Sequence, residues 1–151
     1  MNKIRRATTD DAYRIAEIIV FNYRLNFYTI FKNDEFYFSQ IQVKHLAEEY
    51  MHESALENTF VYDDGVVKGF IQIDGSKIAK LFVEPVLQGQ GIGAKLLEFA
   101  VAEKQANHLW ALEKNGKAIR FYERHGFRVT AEKELEEGTT EYLVKLERRK
   151  T

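Results

Sequence analysis

One segment constrains the chain more than any other: Gln88-Gly89-Gln90-Gly91-Ile92-Gly93, three alternating glycines out of only nine in 151 residues. It follows a β-rich run and a proline, Pro85, and it opens an apolar pattern of helical period, Ile92, Leu96, Phe99 and Ala100, which reaches about Lys104. A turn without side chains at a helix start can aim several backbone N–H groups and the positive end of the helix dipole at an anion that approaches closely. The segment therefore reads as a cradle for a pyrophosphate.

The rest of the pattern frames that turn. Lys3 to Ala7 predicts a short strand, and Thr8 with Asp11 three residues on predicts a capped helix start. Ile15, Ile18 and Ile19 recur at helical spacing, and the helix is expected to run through Phe21, Tyr23, Phe27, Tyr28 and Phe31 to a break near Lys32–Asp34. A second helix is expected over Glu35–Met51. Thr59–Tyr62, Val66–Ile73 and Lys77–Val83 are β-rich and separated by Asp63-Asp64-Gly65 and Asp74-Gly75-Ser76, which predicts an antiparallel meander of three strands. Beyond the cradle helix come a strand at His108–Leu112, a short helix at Lys117–His125 stopped by Gly126, and strands near Phe127–Lys133 and Glu141–Glu147 around a turn at Glu136–Gly138. The order is β-α-α-β-β-β-α-β-α-β-β, a mixed α/β sheet with flanking helices. No repeat or linker divides it, so residues 1–151 are expected to fold as one unit.

Composition excludes several function classes. Without cysteine there is no disulfide framework, thiolate metal site or cysteine nucleophile, and a reducing, cytoplasmic setting is the expectation. The start carries Lys3, Arg5 and Arg6 with no apolar run behind them, and no stretch approaches the roughly 18 apolar residues of a membrane helix. Neither export nor membrane association is expected. A net charge of −1 argues against nucleic acid as a partner, although residues 32–75 carry nine acids against three bases and residues 76–130 nine bases against five acids. Solvated faces account for that split, and so would a cationic ligand on one side and an anionic one on the other. Arg148-Arg149-Lys150 reads as a solvated tail.

Other chemistries find no footing. Ser39, Ser54 and Ser76 sit in no nucleophile-elbow setting, and no phosphate-loop lysine motif is present. His45 and His52 lack a third ligand, so no metal is expected. Gly89-x-Gly91-x-x-Ala94, with Glu113 about 20 residues on, matches the outline of a dinucleotide fingerprint. Against that reading, Glu84–Gln88 separate the turn from its strand, and the preceding strands form hairpins.

Taken together, Leu81-Phe82-Val83-x-Pro85, Gln88-x-x-Gly91-x-Gly93 and Asn115-x-x-Ala118-x-x-Phe121-Tyr122-x-x-x-Gly126-Phe127 resemble the GNAT superfamily of acetyl-CoA-dependent N-acetyltransferases. The resemblance is most specific over residues 77–128. It implies a mostly antiparallel central sheet with one parallel, splayed strand pair that admits acetyl-CoA as cosubstrate. By the same resemblance, the backbone of Leu81, Phe82 and Val83 binds the acetyl carbonyl and pantetheine arm, and the amides of Gln88, Gly89, Gln90, Gly91, Ile92, Gly93 and Ala94 hold the pyrophosphate. Asn115 contacts the cosubstrate, Ala118 permits its close approach, and Tyr122 is the acid that protonates the departing thiolate.

The implied activity is acetyl transfer to an amine, a small molecule or a protein amine, by direct attack in a ternary complex. A non-catalytic acyl-CoA sensor of the same fold is the alternative, and a homodimer is compatible with either. An alkylamine of pKa near 10.4 must lose a proton to attack. Glu84, Asp74, His108 and Glu113 lie near enough in sequence to serve, and none is singled out as the base. Tyr23, Arg24, Tyr28 and the acids that follow are candidates for the acceptor pocket, whereas most of Phe21, Phe27, Phe31, Phe36 and Phe38 are expected in the core.

Overall fold

The computed structural model describes residues 3–148. Its strands are β1 (Ile4–Arg6), β2 (Thr59–Asp63), β3 (Val67–Asp74), β4 (Lys77–Val83), β5 (His108–Leu112), β6 (Phe127–Leu135) and β7 (Tyr142–Arg148). They form one sheet in the order β1-β2-β3-β4-β5-β7-β6, antiparallel at every junction except β4–β5. The helices are α1 (Ala12–Asn26), α2 (Tyr28–Phe31), α3 (Val43–Glu49), α4 (Glu53–Leu56), α5 (Ile92–Lys104) and α6 (Gly116–Arg124).

Alternation along the strands builds two cores. On β2, Phe60 and Tyr62 join Ile71, Ile73 and the α5 residues Leu96, Leu97 and Ala100 on one face. Val61 and Phe70 point the other way, to Ile15, Ile18 and Ile19 of α1 and to Tyr50. The period of two on the strands and the Ile15, Ile18, Ile19 stripe on α1 thus place the sheet between two helical layers. The expected cap at the start of α1 is present. Burial by itself raises the Asp11 carboxyl, but Arg5 Nη1 and Nη2 at 2.8 and 2.9 Å and the Thr8 N–H at 2.8 Å hold it below the usual carboxylate range.

The meander, the β5 strand and the cradle helix lie where the sequence places them, and four expectations are corrected. The first helix breaks at Phe27 between α1 and α2. The continuous helix expected over Glu35–Met51 is instead a π-helical turn, Phe36–Gln40, then extended Ile41 and Gln42, then α3. β-branched Ile41 buries its side chain beside Val20 and Tyr37 from an extended backbone, so tertiary burial outweighs a modest helix propensity. Of the five phenylalanines expected mostly in the core, none is fully buried: Phe21, Phe36 and Phe38 are exposed, and Phe27 and Phe31 are half-buried. Phe21 lies off the buried stripe of α1, and the broken second helix turns Tyr37 inward instead of its neighbours. Arg148 is the last residue of β7, paired with Phe127, not part of a tail; Arg149 and Lys150 lie outside the described residues.

The one parallel junction matters most for function. β4 and β5 register only at Lys77 and His108, reinforced by the Asn107 N–H on Ser76 O at 2.9 Å, and then diverge. On its other edge β4 is laddered to β3 from Lys77 to Val83, with one bulge at Ala79. Gly69 sets that closeness near the end of β4: a Cβ there would lie 2.9 Å from Phe82 O and 3.3 Å from Val83 Cα. Gly69→Ala is expected to push the end of β4 outward and cost about 1–3 kcal/mol in denaturant unfolding. A loss under about 0.5 kcal/mol would mean that β4 yields freely at this point.

Candidate active site

Where β4 and β5 diverge, two cavities meet. One, of about 540 Å³, is lined by Gln88, Gly89, Gly91, Ile92, Gly93 and Ala94 together with Lys117, Phe121, Arg124 and His125. The other, of about 570 Å³, lies among Tyr23, Phe27, Phe31, Phe36 and Tyr37, β4 residues Ile78–Phe82, β5 residues Leu109–Leu112, and the β6–β7 turn at Glu136–Thr139. Leu81, Phe82, Asn115, Ala118 and Tyr122 line both. Side chains from both sheet faces, Phe82 from the α1 side and Tyr122 from the α5 side, border the same space, so the cavities connect through the gap between the strands.

The first cavity has the chemistry of an anion site. Gly89 and Gly91 both adopt φ +84°, with open space where a Cβ would stand, and Gly91 caps the 13-residue α5. The first N–H groups of α5 have no intrahelical acceptors and open toward this turn. Lys117 and Arg124 add positive charge. Gln90, expected among the cradle residues, is exposed and does not line the cavity.

A buried side chain outside the sequence expectation holds the cradle. Asn22, 1% exposed in the middle of α1, donates from Nδ2 to Ile18 O and to Val83 O, each at 2.9 Å. Its Oδ1 accepts from Gln88 Nε2 at 3.1 Å, and Gln88 Nε2 also reaches Val83 O at 3.2 Å. On the far side Gln88 Oε1 accepts from Lys117 Nζ at 3.2 Å. Asn22 and Gln88 together thus tie α1, the end of β4, the glycine turn and α6. The signal was present: Asn22 falls on the buried stripe of α1, seven residues after Ile15, where an apolar side chain would be expected.

Tyr122 stands at the junction. Burial pushes its phenol up, so it carries its proton throughout the neutral range, and no protein hydrogen bond engages it among the described residues. Phe121 and Phe127 pack edge-on against the ring at centroid distances of 5.2 and 5.8 Å. Asn115 Oδ1 accepts from the Ala118 N–H at 3.3 Å and caps α6, which carries Tyr122. Asn115 therefore positions this helix as well as lining both cavities.

The acceptor-side residues are redistributed. Tyr23 lines the second cavity; Arg24 and Tyr28 do not. Arg24 Nε donates to Tyr37 O at 3.2 Å, and the Tyr28 hydroxyl bonds Asp34. None of Glu84, Asp74, His108 and Glu113 lines either cavity. Glu84 accepts from Arg14 at 3.3 Å and its Oε2 is buried without a partner among the described residues, while Glu113 pairs with Lys133 at 2.7 Å. The carboxylates on the cavity wall are Glu136 and Glu137, from a turn expected only as a strand connection, and Lys80 of β4 joins them. Among the described residues no group of three or more His, Cys, Asp or Glu side chains could hold a metal ion, and no helix is long and apolar enough to cross a membrane.

The preceding strand is antiparallel to its neighbour, and a 3₁₀ turn, Pro85–Leu87, separates it from the glycines, which removes the doubly wound setting of the dinucleotide reading. Comparison with known proteins points the same way. Residues 16–143 match the family model described as an acetyltransferase (GNAT) domain. A protein of Salmonella typhimurium named peptidyl-lysine N-acetyltransferase YjaB is 30% identical over 96 residues, 64% of this chain and 66% of that protein, so the matched stretch spans just under two thirds of that relative's length. The solution structure of apo-form YjaB from Escherichia coli superposes with a TM-score of 0.73 at 24% identity, covering 96% of this chain and 95% of that one. The PaiA N-acetyltransferase of Thermoplasma acidophilum, solved in complex with coenzyme A, superposes with a TM-score of 0.71 at 20% identity, covering 97% and 98%. With a family model spanning most of its length and the splayed sheet that the motifs imply, this chain belongs to the GNAT family of acetyltransferases.

Proposed function

We propose that the chain, as one acetyltransferase unit, moves an acetyl group from acetyl-CoA to a primary amine by direct attack within a ternary complex. The observation that carries this reading is the pair of cavities that meet at Tyr122 through the opening between β4 and β5. The residues present fit the cosubstrate. The open glycine turn, the start of α5, Lys117 and Arg124 suit its phosphates, and the β5-facing backbone of β4 suits an amide-bearing pantetheine arm. The Thermoplasma protein, solved with coenzyme A, shares this fold. Bound there, acetyl-CoA supplies an activated acyl group on a thiol leaving group.

The chain's own residues then do three things. The backbone N–H groups of Leu81 and Val83, which alternate away from the β3 ladder that Phe82 joins, polarise the thioester carbonyl as charge grows on its oxygen. The acceptor amine enters from the second cavity, and Glu136 and Glu137, the carboxylates lining it among the described residues, take up its proton directly or through water. Tyr122, neutral and without a competing protein partner, offers its proton to the departing sulfur. Asn115 and Ala118 set the helix that presents it. The Salmonella relative is named for peptidyl-lysine, and a lysine side chain is one amine of the required kind.

Acetyl-CoA at about 100 times its Kd is expected to add roughly 2.7 kcal/mol of stability, read as a rise in Tm, whereas NAD adds none. A shift with NAD alone would return the glycine turn to dinucleotide binding. Tyr122→Phe should lower kcat about 100-fold or more with acetyl-CoA affinity nearly unchanged, measured by thiol release across an amine panel. Unaltered turnover would remove Tyr122 from the chemistry, and binding without thiol release for any amine would leave an acyl-CoA sensor. Asn22→Leu, which removes the amide holding Val83 and Gln88, should raise KM for acetyl-CoA by about tenfold and lower kcat at saturation by less than about threefold. An equal loss in both would make Asn22 merely structural.

A further inference from the structure

The second cavity contains a cation that the transfer reading leaves without a task. Lys80 lies on β4 one residue before Leu81, opposite Gln72, and forms part of the wall beside Tyr23, Tyr37 and Phe82. Its Nζ donates to the Tyr50 hydroxyl at 3.0 Å, and that hydroxyl donates to Gln72 Oε1 at 2.6 Å. Tyr50 is fully buried and its hydroxyl holds the ammonium in place; burial pulls the Lys80 pKa below the usual lysine value, and the charge of Glu49 opposes that shift. No ion pair engages Lys80 among the described residues. An ammonium has three donors, and Tyr50 occupies one.

An ammonium that has no direct ion pair among the described residues, with Glu49 acting on it only at longer range, acts as a filter beside the path of an incoming amine. It repels a bare alkylammonium, and it binds an acceptor that brings its own anion through a charge-assisted hydrogen bond. Glu136 and Glu137, which line the same cavity, are also without ion pairs among the described residues, and they favour the ammonium end of the same molecule. Both signs of charge stand unpaired in one aromatic-walled space of about 570 Å³, within the usual size range for a small ligand. We propose that Lys80 binds a carboxylate carried by the acceptor, so that the chain acetylates amino-acid-like amines whose apolar body packs against Phe27, Phe31 and Phe36. This rests on the amine-acceptor reading above. The same chemistry is offered by a free amino acid and by a peptide lysine beside an acidic residue; a cavity of about 570 Å³ with both charges on its wall suits the free amino acid, and the peptide arm of the test distinguishes the two.

The test compares matched acceptors that differ only in the carboxylate: phenylalanine with phenethylamine, lysine with cadaverine, and a lysine peptide bearing a neighbouring Glu with its Gln counterpart. A second arm needs no turnover and measures binding of N-acetylphenylalanine against N-acetylphenethylamine in the presence of coenzyme A. The carboxylated partner is expected to be favoured about tenfold or more in kcat/KM and in binding. Lys80→Met should bring that ratio to within about twofold of one, Lys80→Glu should invert it, and Lys80→Arg, which keeps the charge, should retain it as the folded reference. A preference confined to the peptide pair would keep the carboxylate site and assign it a protein acceptor. A wild-type ratio at or below one, or a ratio that survives Lys80→Met, overturns the proposal. If no amine is acetylated but N-acetylphenylalanine still binds in a Lys80-dependent way, the transferase reading fails and the carboxylate site stands.

Discussion

The parallel junction of β4 and β5 is held at one point, and the rest of the molecule is arranged around that fact. After Lys77 and His108 the strands part, so the β5-facing backbone groups of Ile78–Val83 have no strand partner, although a sheet normally satisfies such groups by pairing. An open seam in the middle of a sheet is tolerable only where its flanks are held independently. β3 clamps one side through its ladder along β4 from Lys77 to Val83, and β7 clamps the other along all of β5. α5 and α6 close the seam on one face, and α1 with the broken segment after it on the other.

Asn22 shows how the end of the seam is secured. A polar side chain buried in a helix is costly unless every bond it can make is made, and breaking such a bond costs the remaining partner its solvation as well. Asn22 avoids that cost by spending both ends of its amide on neighbours, Ile18 and Val83 from the nitrogen and Gln88 on the oxygen. The last carbonyl of β4 and the first side chain of the glycine turn thus share one anchor. Strand end and cradle are kept in a fixed relation before any ligand arrives, which is the condition for binding without reorganisation.

How much of this was legible followed the range of the physics involved. The meander, the cradle helix at Ile92–Lys104, the β5 strand and the cap formed by Asp11 rest on contacts local in sequence, and turn chemistry and period suffice to locate them. The motif residues Asn115, Ala118 and Tyr122 line both cavities and Gly91 lines one, so the spacing that marks them along the chain brings them to one place in the fold. The wall of the second cavity has no such signature. Tyr37, Lys80, Glu136 and Glu137 come from three separate parts of the chain, and no local pattern links them. The aromatic segment differs for a related reason: apolar character places its phenylalanines in a core, whereas Phe21 lies off the buried stripe of α1, and the π-helical turn Phe36–Gln40 buries Tyr37 and leaves Phe36 and Phe38 exposed.

The placement of Tyr122 ties the fold to the proposed chemistry by a constraint of geometry. An acid that meets the leaving sulfur has to stand where the cosubstrate's path and the acceptor's path join, and it has to keep its proton until the carbon–sulfur bond opens. A surface tyrosine keeps its proton but does not stand where the two paths join, and a fully enclosed one could reach no ligand. Tyr122 is buried in the α5-side core yet lies on the wall of both cavities, because the strands whose pairing would have sealed it off do not pair there. The same seam that leaves one edge of β4 unpaired beyond Lys77 therefore opens a core residue to both cavities, where in the proposed chemistry it would reach the departing sulfur, and burial keeps its phenol protonated.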